Sequence, residues 1–400
     1  MHLAIIGDDS LPDSTLVHAK MLHELAAEFV KQGHTTVIIA PGKPNQTVRL
    51  NKSVIDDITY WKFKSGKLRG QGKLKRAINE TLLSFNAWLA IRHEVDNEPF
   101  DGVIYYSPSI FFGPLVNKIK IKNSCKSYLI LRDMFPQWAV DEGLIRKGSF
   151  IEKYFRYFEN INYSASDSIG LMSPKNLTLF TEQHQDKFNT HVLYNWADTN
   201  ASLVRIDSEN LRETYGLQDK VIFFYGGNIG HAQDMGNLLR LANSMKEVTN
   251  AHFLFLGQGD EVALVKETIE SKNLTNTTLL GSVTQARYKE ILTQVDIGLF
   301  SLAASHKTHN FPGKLLGYMV ESLPILGSIN EGNDLSEVIT DVDAGYILVN
   351  GQDSEFYHAA KALAADEYLR KQIGDNANRL LASQFSVKSA ANTILNNLKS

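Results

Sequence analysis

The chain has 400 residues, enough for two or three domains with large buried cores, and its 43% hydrophobic and 21% charged residues are those of an ordinary folded protein. A formal net charge of −3 argues against nucleic acid as the main partner. The single cysteine, Cys125, excludes an internal disulfide or a thiolate metal cluster and suits a reducing compartment.

The N-terminus, Met1-His2-Leu3-Ala4-Ile5-Ile6-Gly7, has no basic leader and no long apolar stretch, so it reads as a first β-strand and not as a signal peptide. Short apolar runs then alternate with helical patterns. The first series of strands is predicted at Leu3–Ile6, Thr36–Ala40, Ile58–Phe63, Gly102–Tyr106, Ser127–Arg132 and Ser168–Met172. Most are continuously apolar, as strands buried on both faces of a parallel sheet must be. The clearest helix spans Ser14–Gln32, with Asp13 or Ser14 as its cap and Gly33 closing its end. A second series follows at Val221–Tyr225, His252–Leu256, Thr277–Leu280, Asp296–Ser301, Pro324–Gly327 and Gly345–Val349, separated by helices such as Met235–Lys246 and Glu261–Ser271. Alternating strands and helices fold as parallel sheets with right-handed crossovers. The expectation is therefore an α/β protein of two doubly wound, Rossmann-like domains facing a cleft. Residues 1–195 form one and 196–385 the other. Such sheets bind ligands beyond the carboxyl ends of their strands, so two of them suit a two-substrate transferase. No apolar run reaches the ~20 residues of a membrane span.

Four stretches carry candidate chemistry. Gly226-Gly227-Asn228-Ile229-Gly230 follows an apolar strand and reads as a glycine-rich turn whose amides can face a phosphate ahead of a helix. Its spacing is not the dinucleotide fingerprint. Gly257-Gln258-Gly259 closes another strand, and there a tight turn is the favoured reading. Ser305–Glu321 places Lys314 in the first turn of a predicted helix, where a cation is unfavourable unless an anion occupies that end. With His306, Lys307 and His309 it reads as a diphosphate site. Arg132 and Asp133 end a buried strand and should point into the cleft, where Asp133 can orient or deprotonate an acceptor hydroxyl. Asp341-Val342-Asp343 has the form of a divalent-metal motif but sits in an evident loop and reads as a solvated turn, so no metal or other cofactor is expected. The stretch from Ile58 to Asn79 has no acid but many lysines and arginines, interleaved with Trp61, Phe63 and Leu68; with the helix after it, about residues 61–88 read as contact with an anionic membrane surface.

Across essentially its whole length the chain resembles the GT-B sugar transferases of glycosyltransferase family 4. It is most similar there to the bacterial N-acetyl-L-fucosaminyl transferases of O-antigen and capsule synthesis. The resemblance rests on Gly226–Asp234, Leu131–Pro136, Leu193–Asp198 and Phe311–Met319. It implies a metal-independent, retaining hexosyl transfer from a nucleotide sugar, UDP-linked, to a polyprenyl-diphosphate-linked sugar. It also implies a protein on the cytoplasmic face of the membrane, whose last helix, within about 386–400, packs back on the N-terminal domain. The catalytic residues would be Asp133, Arg132 and Lys314. The donor would lie among Gly227, Asn228, Ile229, Gly257, Val283, His309, Gly313, Lys314 and Leu315. The two glutamates that the family often carries with seven residues between them are replaced here by His309 and Gly317, which leaves Glu321 or Glu331 to approach the ribose. Two rival readings are a UDP-sugar 2-epimerase of similar fold and a non-catalytic protein that binds sugar nucleotides.

Overall fold

The computed structural model describes residues 1–14, 16–68, 72–141, 143–199, 210–305 and 311–399. The chain divides into two compact units, Met1–Tyr194 with Val387–Ser400, and Asn195–Ser386. Both are α/β, each built on one sheet.

The first sheet contains β1 (His2–Ile6), β2 (Thr35–Pro41), β3 (Leu50–Ile55), β4 (Ile58–Phe63), β5 (Gly102–Ser107), β6 (Lys126–Leu131), β7 (Ser168–Leu171) and β8 (Thr190–Val192). Their order is β3-β4-β2-β1-β5-β6-β7-β8, and all neighbours are parallel except β3 and β4. That pair is a hairpin turned by Asp56 and Asp57, both in the left-handed region, which matches a two-residue turn to strand twist. The hairpin was not expected, because Asn51, Lys52 and Ser53 give β3 no apolar face to read; its solvent-facing pattern is that of an edge. The last helix, Val387–Lys399, belongs to this unit and packs on the helix Val17–Lys31 and on β6. Gln32 donates to Asn392 across the first of these contacts.

The second sheet contains β9 (Val221–Asn228), β10 (Ala251–Gln258), β11 (Thr277–Leu280), β12 (Ile297–Ser301), β13 (Ile325–Ile329) and β14 (Gly345–Val349), all parallel, in the order β11-β10-β9-β12-β13-β14. Each unit has its own apolar core. One is built around Ile6, Ile39, Trp61, Tyr105 and Leu129, the other around Phe223, Tyr225, Phe253, Leu299 and Leu326.

Three local expectations are corrected. Gly226, Gly227 and Asn228 are not a turn. They continue β9 and pair with Leu256, Gly257 and Gln258. The helix expected from Ser14 starts at Val17 with no side-chain cap on Leu16. Asp13 is drawn away by Lys43 and Lys62, at 2.9 and 2.6 Å, and Ser14 accepts instead from the amide of Leu16. Lastly, the basic, aromatic stretch 61–88 is not one membrane-facing surface. Trp61 and Phe63 are fully buried, Lys62 is buried against Asp13, and Trp88 packs on the core beneath Lys118 and Lys122. The bulky rings of β4 were needed for the core, and the lysine between them was held by an acid far off in sequence.

Candidate active site

In the second unit the chain runs outward from β9 to β11 and restarts at β12 on the other side of β9. The carboxyl ends of β9 and β12 therefore flank the switch point, where doubly wound sheets bind ligands. Lys314 opens the helix Lys314–Val320, which follows β12. Its ammonium lies 3.5 Å from the centroid of the Tyr225 ring, a cation–π contact. Gly227 lies beside it: a Cβ there would meet Lys314 Cε and Nζ at 3.7 Å, an ordinary contact, so it is the backbone φ of 127° that calls for glycine. No acid forms an ion pair with Lys314 among the described residues, and desolvation pulls its pKa down to about 7. A buried ammonium without a counter-ion is stabilised by an incoming anion.

The other donor candidates fall into distinct places. Asn228 is exposed beside Gly227, and its amide donates to Gln233 at 2.7 Å. Gly257 is required by packing: a Cβ there would stand 1.8 Å from the carbonyl oxygen of Gly227. Ile229 turns its side chain into the core and donates its amide to the Gln258 carbonyl at 2.9 Å, so that amide is not free for a phosphate. Leu315 is likewise buried, against Phe311 and Phe385. Gly313 is the exposed N-cap of the lysine's helix, and Val283 is exposed beyond the carboxyl end of β11. His309, with His306 and Lys307, lies outside the described residues.

The two glutamates separate. Glu331 is exposed just past the carboxyl end of β13. Glu321 is the C-cap of the helix that Lys314 opens, so it stands at the other end, roughly 10 Å along the axis at the usual rise per residue. It is half-buried; burial raises its carboxyl pKa, with Lys289 opposing. Asp341 and Asp343 occupy a turn before β14 and are exposed.

In the first unit the switch point lies between β1 and β5, and a cavity of about 570 Å³ opens there. Its polar floor comes from the strand ends: Asp8 after β1, Ser109 after β5 and Asp133 after β6. Its walls are apolar, from Leu68, Leu83, Phe111, Phe135, Trp138 and Phe155 among others, with Arg76 and Glu80 at another side. Asp133 reaches solvent, yet desolvation raises its pKa while Arg132 opposes. The Ser109 hydroxyl has no hydrogen-bond partner among the described residues. Arg132 does not line this cavity. Its Nη2 donates to the Tyr194 carbonyl at 3.2 Å, and it lies beside Tyr106 and Tyr128, so of the predicted Arg–Asp pair only the carboxylate lines this cavity.

The sequence reading missed Asp8 and its partner. His18 Nε2 is 3.2 Å from Asp8 Oδ1, and the imidazole stacks on Tyr106 at 5.4 Å between centroids. The strand-end rule applied to Ile6-Gly7-Asp8 would have marked the carboxylate; nothing in the sequence marks the histidine. Cys125 packs against the core, where burial pushes its thiol up to about 11, which suits a packing role and no nucleophile.

Residues 207–380, all within the second unit, match the family described as Glycosyl transferases group 1. The match covers most of that unit and less than half of the chain; both units are Rossmann-like parallel-sheet domains, the fold class of the structural neighbours below. Probable glycosyltransferase WbjE of Pseudomonas aeruginosa is 25% identical over 55% of this chain and 55% of its own, so the match spans about half of that relative. Putative colanic acid biosynthesis glycosyl transferase WcaI of Escherichia coli is 20% identical over 94% of this chain and 99% of its own. Among solved structures, trehalose-6-phosphate from E. coli bound with UDP-2-fluoro glucose superposes with a TM-score of 0.72 over 100% of this chain and 99% of that one, at 10% identity.

Proposed function

We propose that this chain is a glycosyltransferase that moves a sugar from a UDP-linked donor to a lipid-linked sugar acceptor in surface polysaccharide synthesis. The donor sugar best supported by the family resemblance is an N-acetylated deoxy-amino sugar such as N-acetyl-L-fucosamine. The observation that carries the reading is Lys314: an ammonium held over Tyr225 at the switch point of the unit that matches group 1, with no acid to neutralise it among the described residues. In the reaction proposed, the bond from the anomeric carbon to the diphosphate breaks, its electrons stay on the diphosphate, and Lys314 stabilises that charge. The acceptor hydroxyl forms the new bond to the anomeric carbon, and Asp133 orients it and takes its proton. The UDP-2-fluoro glucose bound by the structurally similar protein supports a uridine donor. The name of WbjE, a probable glycosyltransferase, supports sugar transfer, and that of WcaI, in colanic acid biosynthesis, supports a place in polysaccharide assembly.

The test is a panel of radiolabelled UDP-sugars incubated with the protein and a short-chain prenyl-diphosphate-linked sugar, followed by organic extraction. Label in the extracted lipid is the expected result. Label remaining in an epimerised, free sugar nucleotide would identify a UDP-sugar 2-epimerase instead, and label unchanged with every donor would leave only sugar-nucleotide binding.

A further inference from the structure

The cavity of the first unit holds a second acid that the proposed reaction leaves unused. Asp8 lines it with Ser109 and Asp133. The loop that carries Asp8, between β1 and the helix Val17–Lys31, has three acids. Two of them hold the loop itself. Asp9 accepts from the Ser10 amide and from the Ser14 hydroxyl, both at 2.9 Å, and Asp13 pairs with Lys43 and Lys62. Asp8 is the one turned to the cavity, and behind it stands His18, with Nε2 3.2 Å from Asp8 Oδ1. The imidazole is fixed in turn, because it stacks on Tyr106 with 5.4 Å between centroids and 14° between planes.

Strand register sets where these groups stand. Ile6 is the partner of Tyr105, and Ser107 that of Leu131. Residues two apart share a face, which brings Asp8, Ser107 and Asp133 to the face of Ile6, Tyr105 and Leu131. Because β5 lies between β1 and β6, the backbones of the two acids stand roughly 10 Å apart at the usual strand spacing. That leaves room for one sugar ring between the carboxylates. Burial pushes the Tyr106 hydroxyl up to about 12; Arg132 opposes the rise, and Asp133 and Asp8 both add to it, so the two acids act on one small region. The hydroxyls of Ser107, fully buried, and of Ser109 have no hydrogen-bond partner among the described residues. Polar groups left so at a cavity floor are completed by a polar ligand or by water. Phe135 and Trp138 stand in the wall. Rings beside carboxylates complement a neutral sugar, with its C–H faces against the rings and its hydroxyls donating to the acids.

We propose that Asp8 is a second acceptor-binding carboxylate, which accepts from a hydroxyl of the acceptor sugar other than the one that reacts at Asp133, and that His18 is the positioning residue that holds Asp8 for it. This rests on the sugar acceptor proposed above and deepens it. A carboxylate accepts on both oxygens, so a bond from His18 Nε2 to Oδ1 sets the plane of the group and leaves it further capacity toward the cavity. The consequence is specificity. An acceptor without that hydroxyl leaves a desolvated carboxylate unpaired and is rejected, and one with a carboxylate of its own at that place is repelled.

The experiment is calorimetric titration of the full chain with short prenyl diphosphates carrying glucose, galactose or N-acetylglucosamine, and then with the monodeoxy analogues of whichever binds most tightly. For the intact protein, replacing one particular hydroxyl by hydrogen is expected to lower affinity about tenfold, the scale of a hydrogen bond to a charged group. Asp8→Asn should lose as much with the parent sugar and should no longer tell it from that analogue, the non-additivity of two groups in contact. His18→Ala should weaken the parent sugar by about three- to tenfold. His18→Gln, which keeps an N–H donor, should recover most of that loss. A pair that only braced the loop would weaken every analogue by the same factor. Equal losses of that kind for Asp8→Asn, or unaltered affinity, would overturn the proposal, and so would an intact protein that binds none of the three sugars. The expected binding pattern without transfer from any UDP-sugar would refute the enzymatic reading and leave Asp8 as a sugar-binding group. Transfer without that pattern would sink this inference alone.

Discussion

At the switch point of the first sheet two carboxylates, Asp8 and Asp133, face a cavity walled by rings and aliphatic side chains. At the switch point of the second an ammonium, Lys314, lies over Tyr225 beside two glycines pressed backbone to backbone. The two places arise from the same topology, in which a chain that winds outward from a central strand and restarts beside it leaves a crevice at the strand ends. What differs is the charge set there. Acids in a partly apolar cavity hold a hydroxyl or its proton and cannot hold a diphosphate, while a desolvated lysine without an acid attracts one. On the reading proposed, the shared fold sets where ligands would bind, and the side chains around each crevice set which ligand each would take.

The sharpest way to break this contrast is Asp133→Asn. Loss of a proton acceptor is expected to lower kcat by about 10²–10⁴ with the donor KM little changed. Because desolvation raises the pKa of Asp133, the intact protein should also lose kcat on the acid side at a pH above the ordinary carboxylate range, and the variant should lack that limb. A pH–rate profile reads both. Next is Lys314→Ala, expected to lower kcat/KM for the donor by about 10²–10³. Its charged form exists below its pKa of about 7, so donor affinity should fall as pH rises past that value, by up to roughly tenfold per unit. A donor KM flat across this range would remove Lys314 from the diphosphate. Gly257→Ala tests the architecture and not the chemistry: forcing a Cβ against the Gly227 carbonyl should cost about 1–3 kcal/mol in urea unfolding. The smallest effect separates the two glutamates. If Glu331 binds the ribose, Glu331→Ala should raise the donor KM by about tenfold, the scale of one hydrogen bond to a charged group, while Glu321→Ala leaves it unchanged. The reverse pattern would return Glu321 to the ribose.

Much of the fold was legible because buried parallel strands are continuous apolar runs, as in Leu3–Ile6 and His252–Leu256. Where that signal fails, so did the reading. β3 is polar and solvent-facing, and the end of β9 is Gly-Gly-Asn, a composition that local propensity assigns to a turn; pairing with β10 overrides it. Asp133 could be marked by its place after a strand, and Lys314 by its place in the first turn of a helix. The Asp8–His18 contact and the burial of Lys62 by Asp13 depend on residues brought together by the fold. The pattern of basic and aromatic residues in 61–88 misled because it records composition without facing: Trp61 and Phe63 point inward.

The central claim, that the second unit takes the donor diphosphate through Lys314, is tested most directly by calorimetric titration of UDP into the intact protein, Lys314→Ala and Asp133→Asn near pH 6.5. The account predicts UDP affinity weakened at least about tenfold by Lys314→Ala, the loss of one charge-assisted contact, and unchanged by Asp133→Asn. Equal affinity of all three proteins for UDP would contradict it.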